Sequence, residues 1–191
     1  MAKTSRASRV LRASRVALVL GLIFLAAAAV PARGQDPAKG PVVQYDIQAR
    51  LVPESKTIQG RETLVWRNDS ASPIGELRFH LYMNAFKNNK TTFMTESRGS
   101  SRGFRADSEA WGFIDVTGIG IKDGADLTPT MEFIQPDDGN PDDQTVMKVV
   151  PPAPVKPGES VTLELAFTVQ LPKVFARAGF AGDFFMAGQW F

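Results

Sequence analysis

The chain has 191 residues, 22 basic and 20 acidic side chains, one His and no Cys. A single imidazole and no thiol remove most ways of holding a transition metal or building a nucleophile–base pair. They also leave any exported form of the chain without disulfide staples, so a hydrophobic core has to supply the stability.

Residues 1–34 have the form of an export leader. Lys3, Arg6, Arg9, Arg12 and Arg15 give a basic start, residues 16–30 are an apolar run, and Ala32 and Gly34 form a small-x-small site. This pattern predicts a helical Sec-type signal peptide cleaved after Gly34, and a periplasmic or extracellular product. The apolar run is shorter than the ~20 residues of a spanning helix, so contact with a membrane is expected only through an uncleaved leader. No twin Arg and no Cys accompany the run. Cleavage removes six of the 22 basic residues and none of the 20 acidic ones, leaving 16 against 20, a net charge of −4. That balance lacks the electrostatic footprint of a nucleic-acid binder.

Residues 35–42 read as a flexible Pro/Gly lead-in, and 43–191 as one domain. Tyr45, Ile47, Ala49 and Leu51 alternate with polar residues, which predicts a strand. A turn over 53–56 leads to a second strand at 57–67, with Ile58, Leu64 and Trp66 on one face and Gly60 as a candidate bulge. Asn68-Asp69-Ser70 closes it with turn chemistry. Leu77, Phe79 and Leu81 alternate in a third strand. Residues 84–111 have no clean period and read as a long excursion with a mobile tip. The strand pattern resumes at 113–121. Residues 130–134 and 145–150 predict a hairpin around the acidic loop 135–144, and 151–158 is a stiff Pro-rich connection. At 161–171, Val161, Leu163, Leu165, Phe167, Val169 and Leu171 share one face, giving a half-buried strand. No segment of the domain has a convincing helical period. Many short strands between turn signals predict an all-β fold, an antiparallel β-sandwich or saddle-like layered sheets.

Few residues carry candidate chemistry. His80 has no second His and reads as a surface or structural residue. Asp137-Asp138-Gly139-Asn140-Pro141-Asp142-Asp143 offers oxygen ligands for a hard cation, but it lacks EF-hand spacing and reads as a solvated hairpin tip. Arg98, Arg102 and Arg105 among Gly and Ser read as a solvated loop that could grip a polyanion. The glycosylation triplets at Asn68 and Asn89 read as accidental matches. Phe180, Phe184, Phe185, Met186, Trp190 and Phe191 form an aromatic cluster broken by glycines, which reads as an interface shared with a following domain. The aromatic end at 188–191 reads as a domain truncated at its C-terminal edge.

Tyr45-Asp46-Ile47-Gln48-Ala49, Gly60-Arg61-Glu62 and Trp66-Arg67-Asn68, with 79–86 and the terminal 185–191, resemble the N-terminal β-domain of zinc aminopeptidases of the aminopeptidase N type (gluzincins), in a bacterial branch. The resemblance spans about 43–191. It implies a downstream thermolysin-like catalytic domain of the same protein that carries H-E-x-x-H and the zinc. This chain itself would hold no cofactor and no catalytic residue, and alone would be inactive. The implied role is to position peptide substrates. Within the terminal segment, which resembles a strand at the cleft edge, Gln189 matches the Gln of the family's Gln-x-Glu/Gln motif. Its second position falls on Phe191, which cannot accept a hydrogen bond or balance an ammonium charge and keeps only a cation–π contact. Both are candidate substrate-binding residues. That departure from the motif leaves strict aminopeptidase specificity of the parent protein in doubt. The alternative is a stand-alone secreted β-sandwich that binds or adheres.

Overall fold

The structure, a computed structural model, describes residues 40–191; the leader, its cleavage point and most of the lead-in lie outside the described residues. In chain order the strands are β1 (Val43–Val52), β2 (Thr57–Arg67), β3 (Leu77–His80), β4 (Ser100–Ser101), β5 (Phe104–Arg105), β6 (Phe113–Ile121), β7 (Glu132–Phe133), β8 (Val146–Val149), β9 (Ser160–Gln170), β10 (Ala178–Ala181) and β11 (Phe184–Ala187). They form an antiparallel four-stranded sheet in the order β1-β2-β9-β6, a three-stranded sheet β3-β8-β7, and the small hairpins β4–β5 and β10–β11. The fold is all-β and sandwich-like, as the alternating pattern predicts. Among the described residues, no helix is long and apolar enough to cross a membrane.

β9 is the centre of the large sheet. Val161, Leu163, Leu165, Phe167 and Val169 are all buried and their neighbours are not. β2 runs along one side of it and β6 along the other. Leu77 on β3 and Met147 and Val149 on β8 belong to the same apolar core. The two sheets thus bury one face each against the other. β1 is an edge strand, paired over its whole length with β2 but mostly exposed.

The bulge lies elsewhere than at Gly60. The β2 register is continuous through Gly60, which faces Ala49 on one side and Phe167 on the other. A Cβ there would sit 2.3 Å from the Phe167 ring. Glycine is present to let the ring lie across the strand, not to kink it. The irregularity falls in β6, between Val116 and Gly118. One extra residue, Thr117, resets the alternation, so that Ile114 and Val116 before it and Ile119 after it all point inward. Thr117 Oγ1 donates to the Ala166 carbonyl at 3.1 Å, which holds the extra residue in place.

The excursion 84–111 is more ordered than its sequence suggests. A 3-10 turn (Tyr82–Phe86) and a short helix α1 (Thr92–Ser97) stand where no helical period was legible. Six residues are too few to show one, though Thr91 is a sound N-cap and accepts from Met94 N. β4 and β5 close through Arg102 and Gly103, both at positive φ, the geometry of a tight hairpin turn. Phe86, Phe93 and Phe175 meet edge to face at 5.5–6.1 Å and pin the excursion to the domain.

The acidic loop is an exposed hairpin tip between β7 and β8, as the sequence predicts, and it also bonds the start of α1. Asp143 accepts from Thr92 N and from Thr145 N and Oγ1. Asp138 accepts from Thr92 Oγ1, and Asn140 Nδ2 donates to the Lys90 carbonyl. Burial works against the Asp143 charge, but the Thr145 and Thr92 bonds outweigh it and hold the carboxyl below its usual range. Asp138 and Asp143 thus bond Thr92 at the N-terminus of a short helix, while Asp142 pairs with Lys90.

Candidate functional site

Among the described residues, a cavity of about 820 Å³ lies between the inner face of the large sheet and the segment 73–82. Its walls are mainly apolar: Leu64, Leu163, Leu165 and Phe167 from the large sheet, and Ile74, Phe79 and Leu81 from the facing segment. A smaller depression of about 410 Å³ is walled by Asp46, Gln48, Arg61, Thr63 and Glu164, and Glu62 borders it as well as the larger cavity. Its mixed charges and open sheet surface do not converge on a point.

The rim of the larger cavity is aromatic. His80 and Tyr82 stack with ring centroids 3.9 Å apart. Phe191 and Tyr45 meet edge to face at 5.9 Å, and Trp190 links Phe191 to Phe167 at 5.4 and 6.1 Å. His80 therefore has an aromatic neighbour and no metal-binding company. Among the described residues no three of His, Cys, Asp and Glu come together to hold a metal ion.

The two candidate substrate-binding residues are separated. Phe191 lines the cavity; Gln189 does not. β11 ends at Ala187, so 188–191 leave the hairpin as irregular chain, and the expected cleft-edge strand stops short of the matched Gln. Gly188 packs where a Cβ would lie 2.5 Å from the Arg177 carbonyl oxygen, and Gln189 takes a left-handed φ of 53°. This sharp turn sends the Gln189 side chain to solvent and folds Trp190 and Phe191 back onto the domain. The terminal aromatic cluster divides accordingly. Phe180 and Phe185 face each other under the Lys56 ammonium, 5.3 and 5.0 Å from their centroids. Phe184, Met186 and Phe191 are 65%, 52% and 46% exposed. Arg98, Arg102 and Arg105 are exposed and away from the cavity.

Glu62 is the residue that pattern reading passed over. It sits opposite Ile47 on β1 and Leu165 on β9, so alternation sends it inward with Ile58 and Leu64. The signal was present: Glu62 is in step with the apolar residues of its own strand. It is 8% exposed, and no hydrogen bond or ion pair reaches its carboxylate. Burial raises its carboxyl above the usual glutamate range. Partial burial, and then the Glu62 charge, raise the Tyr45 phenol in turn.

That direction fixes a pH dependence. The folded state holds the Glu62 proton more tightly than the unfolded state does. Stability linked to protonated Glu62 is complete below the unfolded glutamate value of about 4.3 and is lost as pH rises through the raised folded value. Glu62→Gln removes that loss. The variant should be more stable than the parent chain at neutral pH, and the gap should close near the unfolded value. Urea unfolding at both ends of the window checks this; a variant less stable at neutral pH would mean that a partner favours the carboxylate.

Asn68, the first glycosylation match, is buried and bonded, so its amide is closed to a glycan. Asn89 is exposed, but the Thr91 of its triplet is buried and caps α1. No protein-family model matches the chain, and no curated protein matches it.

Proposed function

We propose that this chain is the N-terminal β-domain of an exported zinc metallopeptidase and positions peptide substrates for a catalytic domain of the same protein, with the zinc held in that domain. The observation that carries the reading is the exposed aromatic end. Phe184 and Met186 on β11 lie open to solvent, and so does Phe191, whose ring meets that of Tyr45, itself 55% exposed. Exposed large apolar side chains of this kind are what a neighbouring domain covers, and they fall on the stretch that resembles the family's cleft edge.

The chain alone should hydrolyse no aminoacyl or peptide substrate, with or without added zinc. In the parent protein, Gln189→Ala should lower peptide kcat/KM about tenfold, ~1.4 kcal/mol, the scale of one neutral hydrogen bond. Zinc content should be unchanged. Chelator-sensitive hydrolysis by the chain alone would overturn the division of labour. Unchanged kinetics in the full-length variant would leave Gln189 as a surface turn residue.

The second reading, a stand-alone secreted binding module, draws support from the cavity, whose size and apolar walls suit a ligand site. A reading frame that carries H-E-x-x-H beyond Phe191 separates the two.

A further inference from the structure

We propose that the cavity beneath segment 73–82 binds a small organic ammonium ion, with its charged head at the Glu62 carboxylate and its apolar body among the aromatic walls. This does not rest on the metallopeptidase reading. Five polar side chains are buried among the described residues: Glu62, Asn68, Asn84, Thr91 and Asp143. Four of them are fully engaged. Asn68 and Asn84 each bridge separate segments, Thr91 caps α1 and donates to the Ala85 carbonyl, and Asp143 accepts from Thr92 and Thr145. Glu62 alone has no partner.

A carboxylate withdrawn from water without a partner is costly, and a hydrophobic residue in its place would complete the inner row of β2. No described side-chain oxygen is both sealed from solvent and unbonded. The Glu62 oxygens therefore keep a small accessible area; Glu62 borders both concavities, and the alternation of β2 turns its side chain to the inner one, with Ile58 and Leu64. The cationic side chain nearest the mouth, Arg78, is committed to Glu76 through both Nε and Nη2. Among the described residues, no cationic side chain pairs with Glu62.

The surroundings select the class of ligand. Glu76 and His80 also border the cavity, but no three His, Cys, Asp or Glu side chains gather there among the described residues, which makes it a poor seat for a metal cation. An anion is repelled. A cation with an apolar body gains on both counts: the carboxylate offsets its charge, and the faces of Tyr45, Trp66, Tyr82, Phe167 and Phe191 attract it through their ring quadrupoles. The volume of about 820 Å³ admits a molecule of one or two rings.

Calorimetric titration of the chain with 2-phenylethylammonium and with its neutral isostere 2-phenylethanol tests the charge requirement. The ammonium should bind at least tenfold more tightly than the alcohol. Glu62→Gln should abolish that preference, with the alcohol's affinity unchanged as the control for an intact cavity. Quenching of tryptophan fluorescence, with Trp66 in the wall, gives an independent readout. Equal affinity for the two compounds, an ammonium affinity that survives Glu62→Gln, or no binding of either compound to the folded chain would each overturn the proposal.

Discussion

Phe167→Ala should destabilise the domain by about 3–5 kcal/mol, the transfer term for a buried aromatic plus the space it leaves. Phe167 is on the central strand and buried. Its ring lies over Gly60 and approaches Trp190 at 6.1 Å. The truncation would remove the side chain that Gly60 exists to accommodate, so the gap would extend onto bare backbone. It would also open into the existing cavity, where water rather than repacked side chains would take up the volume. Thr168→Ala, one residue along and on the other face, should cost well under half as much. Denaturant unfolding of the two variants measures the contrast, and equal losses would mean that the sheet buries the wrong face.

Asn68→Asp should cost about as much, roughly 3–5 kcal/mol, the penalty of a buried charge without compensation. Asn68 is 1% exposed. Its Nδ2 donates to the carbonyls of Ser72 and Val155 at 2.8 and 2.9 Å, and its Oδ1 accepts from Ser70 N and Oγ at 3.0 and 2.7 Å. The amide is used at both ends, which only an amide can do here. A carboxylate would keep the Ser70 bonds and turn its second oxygen on two carbonyl oxygens. Protonation would relieve that repulsion, so the loss should shrink on acidification. Thermal melts across pH test this. A variant equally impaired at every pH would point to shape rather than charge.

These two sites show what the sequence makes legible. The inner face of β9 follows from alternation alone because an eleven-residue strand with one wet side repeats its period enough times to be read. Asn68 was legible only as turn chemistry. That it also reaches Val155, 87 residues away, is tertiary information. The same gap hid the second role of the acidic loop, an exposed tip that also bonds Thr92, because its composition does not reveal that proximity. α1 was missed because six residues complete fewer than two turns. Gly60 in β2 reads as a bulge from sequence because glycine in a strand signals either irregularity or close approach, and local sequence does not say which. Glu62 could have been found by following the parity of Ile58 and Leu64. Gln189 and Phe191 were matched as one segment, and the turn at Gly188 separates them in space.

The bulge in β6 also bears on how this domain tolerates changes of length. Val116 pairs with Phe167 and Gly118 with Ala166, so Thr117 is the one supernumerary residue in that ladder. Losing it would heal the strand to regular pairing, with Ile119 still opposite Leu165. Losing any single residue between Leu163 and Val169 would turn half of the central strand inside out and expose its apolar row. A shortened lineage of this fold therefore has one permissive position in its core ladder, and it lies on the strand that flanks the centre rather than on the centre itself.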